Sequence, residues 1–199
     1  MSAAPLPGND AQLSTLDGLS LTCQSTRPRP YARLHDDLLR QLLRLVLQAL
    51  DLDASEPARC TTFAAMAEHA LRRCEAHLAL EEALLHRPLR LRAPRALMAV
   101  ELDHEQLQQS LVELRRTLAL LREAPTAANT GAIVRELRLR LSLFIADSLA
   151  HMVEEESTLT RAWWAHFTDD EIRACLDAAS SAQAQGLPAQ PRAPPQSGP

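Results

Sequence analysis

Apolar residues recur every three or four positions along four long stretches of this chain, with polar residues between them. That spacing gathers the apolar side chains on one face of an α-helix and is typical of helices that pack together. Prolines near the ends of the stretches mark where each helix begins or stops. The pattern predicts four long helices, at roughly residues 31–51, 56–86, 95–123 and 129–166.

A fifth, shorter helix is predicted from Thr168 to about residue 180. The run Thr168-Asp169-Asp170-Glu171 has the spacing of a capping box, in which a threonine and a glutamate satisfy each other's free backbone amides. Residues 1–28 and 181–199 carry proline, glycine and small polar residues without helical periodicity, and we predict disordered tails there. A single domain is therefore expected over residues 29–180.

The composition favours an all-α fold. The 199 residues include 5 glycines and 3% aromatic residues, whereas sheets need many tight turns and are rich in aromatic and β-branched side chains. Short connections between long helices favour an antiparallel up-down-up-down four-helix bundle, here with an extra short C-terminal helix. The Arg-rich stretch at 86–95, which holds Pro88 and Pro94, is predicted to be a solvent-exposed loop.

Charge and sorting signals narrow the class of partner. With 21 basic and 25 acidic residues, the chain has no basic excess, so nucleic acid is not an expected partner. It has neither an apolar run long enough to cross a membrane nor the features of a secretory signal, which favours the cytoplasm without a membrane partner. Cys23, Cys60, Cys74 and Cys175 are too widely spaced for a metal or redox pair, and we expect reduced, mostly packed thiols.

Histidines and glutamates interrupt the apolar face of every predicted long helix. In an antiparallel bundle these polar positions all fall toward the same end of the molecule. Polar side chains on a buried face require an explanation, because such groups are rarely fully buried without a partner. The six candidates are His35 on the first helix, His77 and Glu81 on the second, His104 on the third, and His151 and Glu155 on the fourth.

Four imidazoles and two carboxylates in an apolar interior predict a metal site. As free groups they would be costly to bury, and cations between them would offset that cost. Nitrogen and oxygen ligands without thiolates suit iron, manganese or zinc. Six ligands exceed the needs of one tetrahedral zinc, whereas two metals bridged by Glu81 and Glu155 would use them all. We therefore predict a dinuclear non-haem iron centre.

Other polar residues near these helices have more than one interpretation. His86 ends the second predicted helix, where a capping role is preferred to that of an extra ligand. Glu82 is expected to face solvent or to orient a ligand imidazole. His69 and His166 are expected at the surface.

The order of the candidates resembles the hemerythrin-like HHE cation-binding domain over roughly residues 31–166. The sequence WWAHFTDDEIRACL (163–176) also looks like the ending of a bacterial subgroup of these proteins. The resemblance implies a four-helix hemerythrin bundle that binds two irons, bridged by carboxylate and oxygen, through the six candidate residues. The matching stretches are LHDDLL (34–39), HLALEE (77–82), LDHEQL (102–107) and HMVEEE (151–156).

Two positions depart from that family. Oxygen-carrying hemerythrins have a further helix-three histidine where this chain has Val100, so one iron lacks a nitrogen ligand unless Glu101 or water replaces it. This departure favours sensing, iron handling or reactive-species chemistry over oxygen storage. Relatives place the helix-four carboxylate four or five residues after the histidine, so Glu155 is the first choice and Glu156 the alternative.

The resemblance implies a protein that binds or senses dioxygen or a related small molecule, such as nitric oxide or peroxide, or that handles iron. The alternative is a metal-free helical interaction module with a degenerate site. The absence of a histidine ligand at Val100 supports this alternative. No nucleophile–base pair or phosphate-binding loop is visible in the sequence. An enzyme is therefore not the first expectation, and if the protein is one, we expect an iron-dependent oxidoreductase.

Overall fold

The computed structural model describes residues 26–123 and 127–184, and in these two ranges the chain is all-helical and contains no strand. The predicted all-α class is confirmed. No helix in these ranges is both long and apolar enough to span a membrane. The predicted tails, 1–28 and 181–199, lie mostly outside the described residues, although the last helix continues to Ala184.

Each predicted long helix is present close to its expected position. Two of them continue through a π-helical turn into a further short helix. In chain order the elements are α1 (Ala32–Leu50), α2 (Pro57–Glu81), a π-turn (Glu82–His86), α3 (Arg87–Arg92), a 3-10 turn (Pro94–Leu97), α4 (Met98–Glu123), α5 (Ala127–Glu154), a second π-turn (Glu155–Leu159), α6 (Thr160–His166) and α7 (Asp169–Ala184).

Two apolar cores stabilise this arrangement. Helix α1 packs against α2 and α5, and α4 packs against the same two helices. The larger core holds side chains from all four helices, among them Leu42 and Leu111. The smaller core joins Tyr31, Val100 and Trp163. Along each long helix the predicted metal ligands lie where one core gives way to the other, so they form a polar layer between two apolar ones.

Helix α7 begins at the predicted capping box. The Thr168 amide donates to Glu171 Oε2 (2.9 Å) and the Glu171 amide donates to Thr168 Oγ1 (3.3 Å). Trp163 of α6 is fully buried in the same core as Ile172 and Ala179 of α7. The capping box is therefore confirmed, and α6 and α7 pack together through this core.

Three of the four cysteines lie in the described part of the chain, and all three are free thiols. Cys60 and Cys74 are buried and Cys175 is half-buried, while Cys23 lies outside the described residues. Burial raises the pKa of the Cys74 thiol to about 12. At neutral pH Cys74 is therefore a neutral packing residue, as predicted.

The predicted loop at 86–95 is wrong, because most of this stretch is helical. The helix passes through Pro88, which lies in the first turn of α3, where a backbone amide is dispensable. The burial of Leu89 stabilises the segment. Two of its arginines also form ion pairs: Arg90 pairs with Glu82 and Glu101, and Arg92 pairs with Glu171, which is distant in sequence.

Candidate metal site

The structure brings all six predicted side chains together in the polar layer between the two cores. The carboxylates are fully buried and most of the imidazoles are buried, whereas the His77 side chain remains 10% exposed. Because the site draws on α1, α2, α4, α5 and the second π-turn, it depends on the whole helix packing. The residues are His35, His77, Glu81, His104, His151 and Glu155.

The first group of donors surrounds Glu81. His77 precedes it by one helical turn of α2, which places the two side chains on one face. Glu81 Oε1 lies 3.0 Å from His77 Nε2 and 3.2 Å from Nε2 of His35, which comes from α1. The donor atoms of these three residues all lie within 4.8 Å of one another.

The second group of donors surrounds Glu155. His151 precedes it by one turn of α5, and its Nε2 atom lies 3.3 Å from Glu155 Oε2. His104 Nε2, from α4, lies 3.1 Å from His151 Nε2. Glu81 belongs to this group as well, because the four residues offer donor atoms within 4.8 Å of one another. Glu155 in turn approaches the first group, with its Oε2 atom 3.0 Å from His35 Nε2.

His86 also belongs to the site, so the prediction that it caps a helix is wrong. Its side chain makes no capping hydrogen bond and is fully buried. The Nε2 atom lies 2.9 Å from Glu155 Oε1, and the ring centre is 4.9 Å from that of His104. Together with Glu82, these two histidines form a third set of donors within 4.8 Å of one another.

The π-turn explains why the sequence pattern misplaced His86. In a regular α-helix, nine residues make about two and a half turns, so His86 would face away from His77. The turn at Glu82–His86 instead closes over five residues, as shown by the hydrogen bond from the Arg87 amide to the Glu82 carbonyl. This wider turn brings His86 beside Glu155 and His104. Such turns occur often at functional sites, and the second π-turn begins at Glu155 itself.

The position next to His104 that lacks a histidine is filled by Val100, which is fully buried in the smaller core. Glu101, the predicted substitute for the missing ligand, is turned away from the cluster. Its Oε1 atom accepts hydrogen bonds from Arg90 Nε (2.9 Å) and Nη2 (2.8 Å). Besides His151, a second imidazole lies beside His104, and it is that of His86, from the other side of the connection between α2 and α4.

Glu156, the alternative to Glu155, has a different role. Its side chain is 40% exposed, and its Oε1 atom accepts a hydrogen bond of 2.9 Å from His35 Nδ1. A carboxylate bound to one ring nitrogen orients the other nitrogen toward a metal. Glu156 thus fixes His35 with Nε2 directed at Glu81 and Glu155. His69 and His166 are exposed, as predicted.

The electrostatics of the cluster show strong mutual attraction. Burial opposes a charge on His35, but hydrogen bonds to Glu155, Glu156 and Glu81 outweigh it and raise the pKa of this imidazole to about 11. Burial also disfavours ionised Glu155, yet its imidazole neighbours hold its pKa well below the usual range. Burial lowers the pKa of His151. The two buried carboxylates therefore favour a positive charge placed beside them.

Buried polar atoms without a hydrogen-bond partner are concentrated in the cluster, as expected at a metal site. Among the described residues, six buried side-chain atoms lack a hydrogen-bond partner, and five of them lie here: His77 Nε2, Glu81 Oε2, His86 Nδ1, His151 Nδ1 and Glu155 Oε2. Two of these atoms, His77 Nε2 and Glu155 Oε2, each lie 3.0 Å from another donor atom but without hydrogen-bond geometry, as expected for atoms that converge on a common point. Ligands about 2.1 Å from one ion lie about 3 Å apart. These buried groups could hold a metal ion.

No family model, curated protein or solved structure matches this chain. Nitrogen and oxygen donors without sulfur suit iron, manganese or zinc.

Proposed function

We propose that this chain is a hemerythrin-like protein that binds two non-haem irons and, through them, dioxygen or a related small molecule such as nitric oxide or peroxide. The observation that carries the proposal is the complete burial of Glu81 and Glu155 among five imidazoles. An uncompensated buried carboxylate is strongly destabilising, and metal ions would offset the charge of these two, whose donor atoms lie within 4.8 Å of each other.

The helix packing supports an antiparallel four-helix bundle as the framework. Helix α1 contacts α2 and α5, and α4 contacts α2 and α5, which is the ring expected when each helix of a bundle has two neighbours. The donors lie near the start of α1, the end of α2, the start of α4 and the end of α5. That alternation brings them to one level only if successive long helices run in opposite directions.

The donor groups suggest how the ligands are divided. His35 and His77 would bind one iron, and His86, His104 and His151 the other. Glu81 and Glu155 lie near both groups and are suited to bridging. Bound iron would supply redox chemistry and open coordination positions for a small ligand.

The protein around the donors favours small ligands. An internal cavity of about 10 Å³ lies against His77 and His151, and it is lined mainly by apolar side chains such as Leu42 and Phe144. That volume is about the minimum for one water molecule. The walls therefore exclude bulky molecules, which favours a small ligand.

The alternative is a metal-free interaction module, and its main support is the missing helix-three histidine at Val100. His86 weakens that case, because it supplies an imidazole beside His104 from another helix. Two of the three arginines of α3, Arg90 and Arg92, are also already paired with carboxylates of this chain, which leaves less free charge for a partner to contact.

Absorption spectroscopy tests the proposed function. Protein loaded with Fe(II) without oxygen is expected to develop new near-ultraviolet and visible bands on addition of nitric oxide or air. Zinc-loaded protein, which has no redox chemistry, is the matched control and should show no new bands. Iron-loaded protein whose spectrum is unchanged by both gases would contradict small-molecule binding at the site.

A further inference from the structure

A surface groove of about 350 Å³ lies between α1, α2 and the C-terminal end of α7. Leu34 and Leu38 of α1 and Leu80 of α2 form apolar walls, and Gln183 of α7 stands at the edge. Pockets for small ligands generally measure about 300–1,000 Å³ and combine apolar walls with a few polar groups. The groove has the size and lining of such a pocket.

The groove leads to the candidate metal site. His77 lines the groove, and together with Leu38 it also lines the small internal cavity described above. The groove and the cavity are therefore neighbours that share these two side chains. A molecule in the groove would lie against the outer face of His77.

The charge of the groove indicates the ligand. Among the described residues that line the groove, two side chains can carry a charge, Arg73 and His77. His77 is part of the candidate metal site, so Arg73 is the charged group available to a ligand. Within the described ranges, no carboxylate forms a salt bridge with Arg73, whereas the adjacent Arg72 lies 3.7 Å from Glu68. An unpaired guanidinium beside apolar walls complements a carboxylate that carries an apolar tail.

We propose that this groove binds a small organic carboxylate, with the carboxylate held by Arg73 and the apolar tail lying along Leu34, Leu38 and Leu80. The site deepens the proposed function, because its ligand would cover the approach to His77. Only this effect of the groove ligand on access to the metal site rests on the proposed function. Binding in the groove itself requires no metal.

Octanoate is the probe that tests this site, measured by calorimetry on the full chain in metal-free and zinc-loaded forms. Arg73→Gln is expected to weaken octanoate binding about tenfold, as for the loss of one charge-assisted contact. Arg72→Gln is the matched control, since its side chain is one residue away but outside the groove, and it should change the affinity less than about twofold. Octanol, which lacks the charge, should bind wild type and Arg73→Gln equally.

Three results would overturn the proposal: no saturable binding of octanoate by the folded wild type, equal weakening in the two arginine variants, or octanol binding as tightly as octanoate. Metal content measured on the same wild-type samples separates the two claims. Normal metal content without octanoate binding contradicts the groove alone. Octanoate binding by a chain that takes up no metal contradicts the metal centre alone.

Discussion

Replacing Glu81 with alanine is expected to lower the metal content from about two ions per chain to less than one. Glu81 belongs to both donor groups. Its donor atoms lie within 4.8 Å of those of His35 and His77 in the first group and of His104 and His151 in the second. In the proposed centre, loss of this carboxylate would remove a ligand from each ion and leave Glu155 as the only fully buried carboxylate among the imidazoles. Both ions should therefore be affected by one substitution.

Elemental analysis and thermal unfolding with and without chelator measure this effect. For wild type we expect the chelator to lower the melting temperature, because metal that binds only the native state stabilises it. The melting temperature of Glu81→Ala should not respond to the chelator. Glu75→Ala, at a half-buried position on the same helix that pairs with Arg115, is the control and should keep wild-type metal content. Equal metal in Glu81→Ala and wild type would rule out Glu81 as a ligand.

The second large effect is expected at His86. His86→Ala should lose about one of the two ions, because its imidazole is one of three near the second donor group. Adding Val100→His to this variant should restore metal content, since Val100 lies one turn before His104 on the same face of α4. If His86 only fills space in the core, a histidine at position 100 is not expected to restore the metal content of His86→Ala.

His86→Gln provides a variant of similar size, so that loss of metal can be separated from loss of packing. Circular dichroism should show unchanged helicity for His86→Gln together with reduced metal content. His166→Ala, at an exposed position, is the matched control. If His86→Gln and His166→Ala both retain all their metal, His86 is not a ligand.

Much of the fold and of the site follows from local periodicity. Apolar residues at helical spacing predict the long helices, because each helix must bury one face. His77 with Glu81 and His151 with Glu155 could be recognised because a four-residue step keeps them on that face. His35 and His104 interrupt the apolar face of their own helices. Packing helices together then brings all six to one layer.

Features that depend on irregular or long-range structure could not be predicted. The π-turn at Glu82–His86 changes which side chains share a helix face, and the spacing of apolar residues does not predict it. The helix through Pro88 is also not predictable from the sequence, because a proline usually ends a helix. Arg92 is stabilised by Glu171, a partner that becomes a neighbour only after α6 and α7 fold back.

The metal content of the wild-type chain, purified without oxygen and analysed by mass spectrometry, tests the central claim most directly. We predict about two irons per chain, held by the two donor groups that share Glu81. A folded, helical protein that binds no metal, even after incubation with Fe(II), would contradict the account. The buried cluster would then be held together by protons alone.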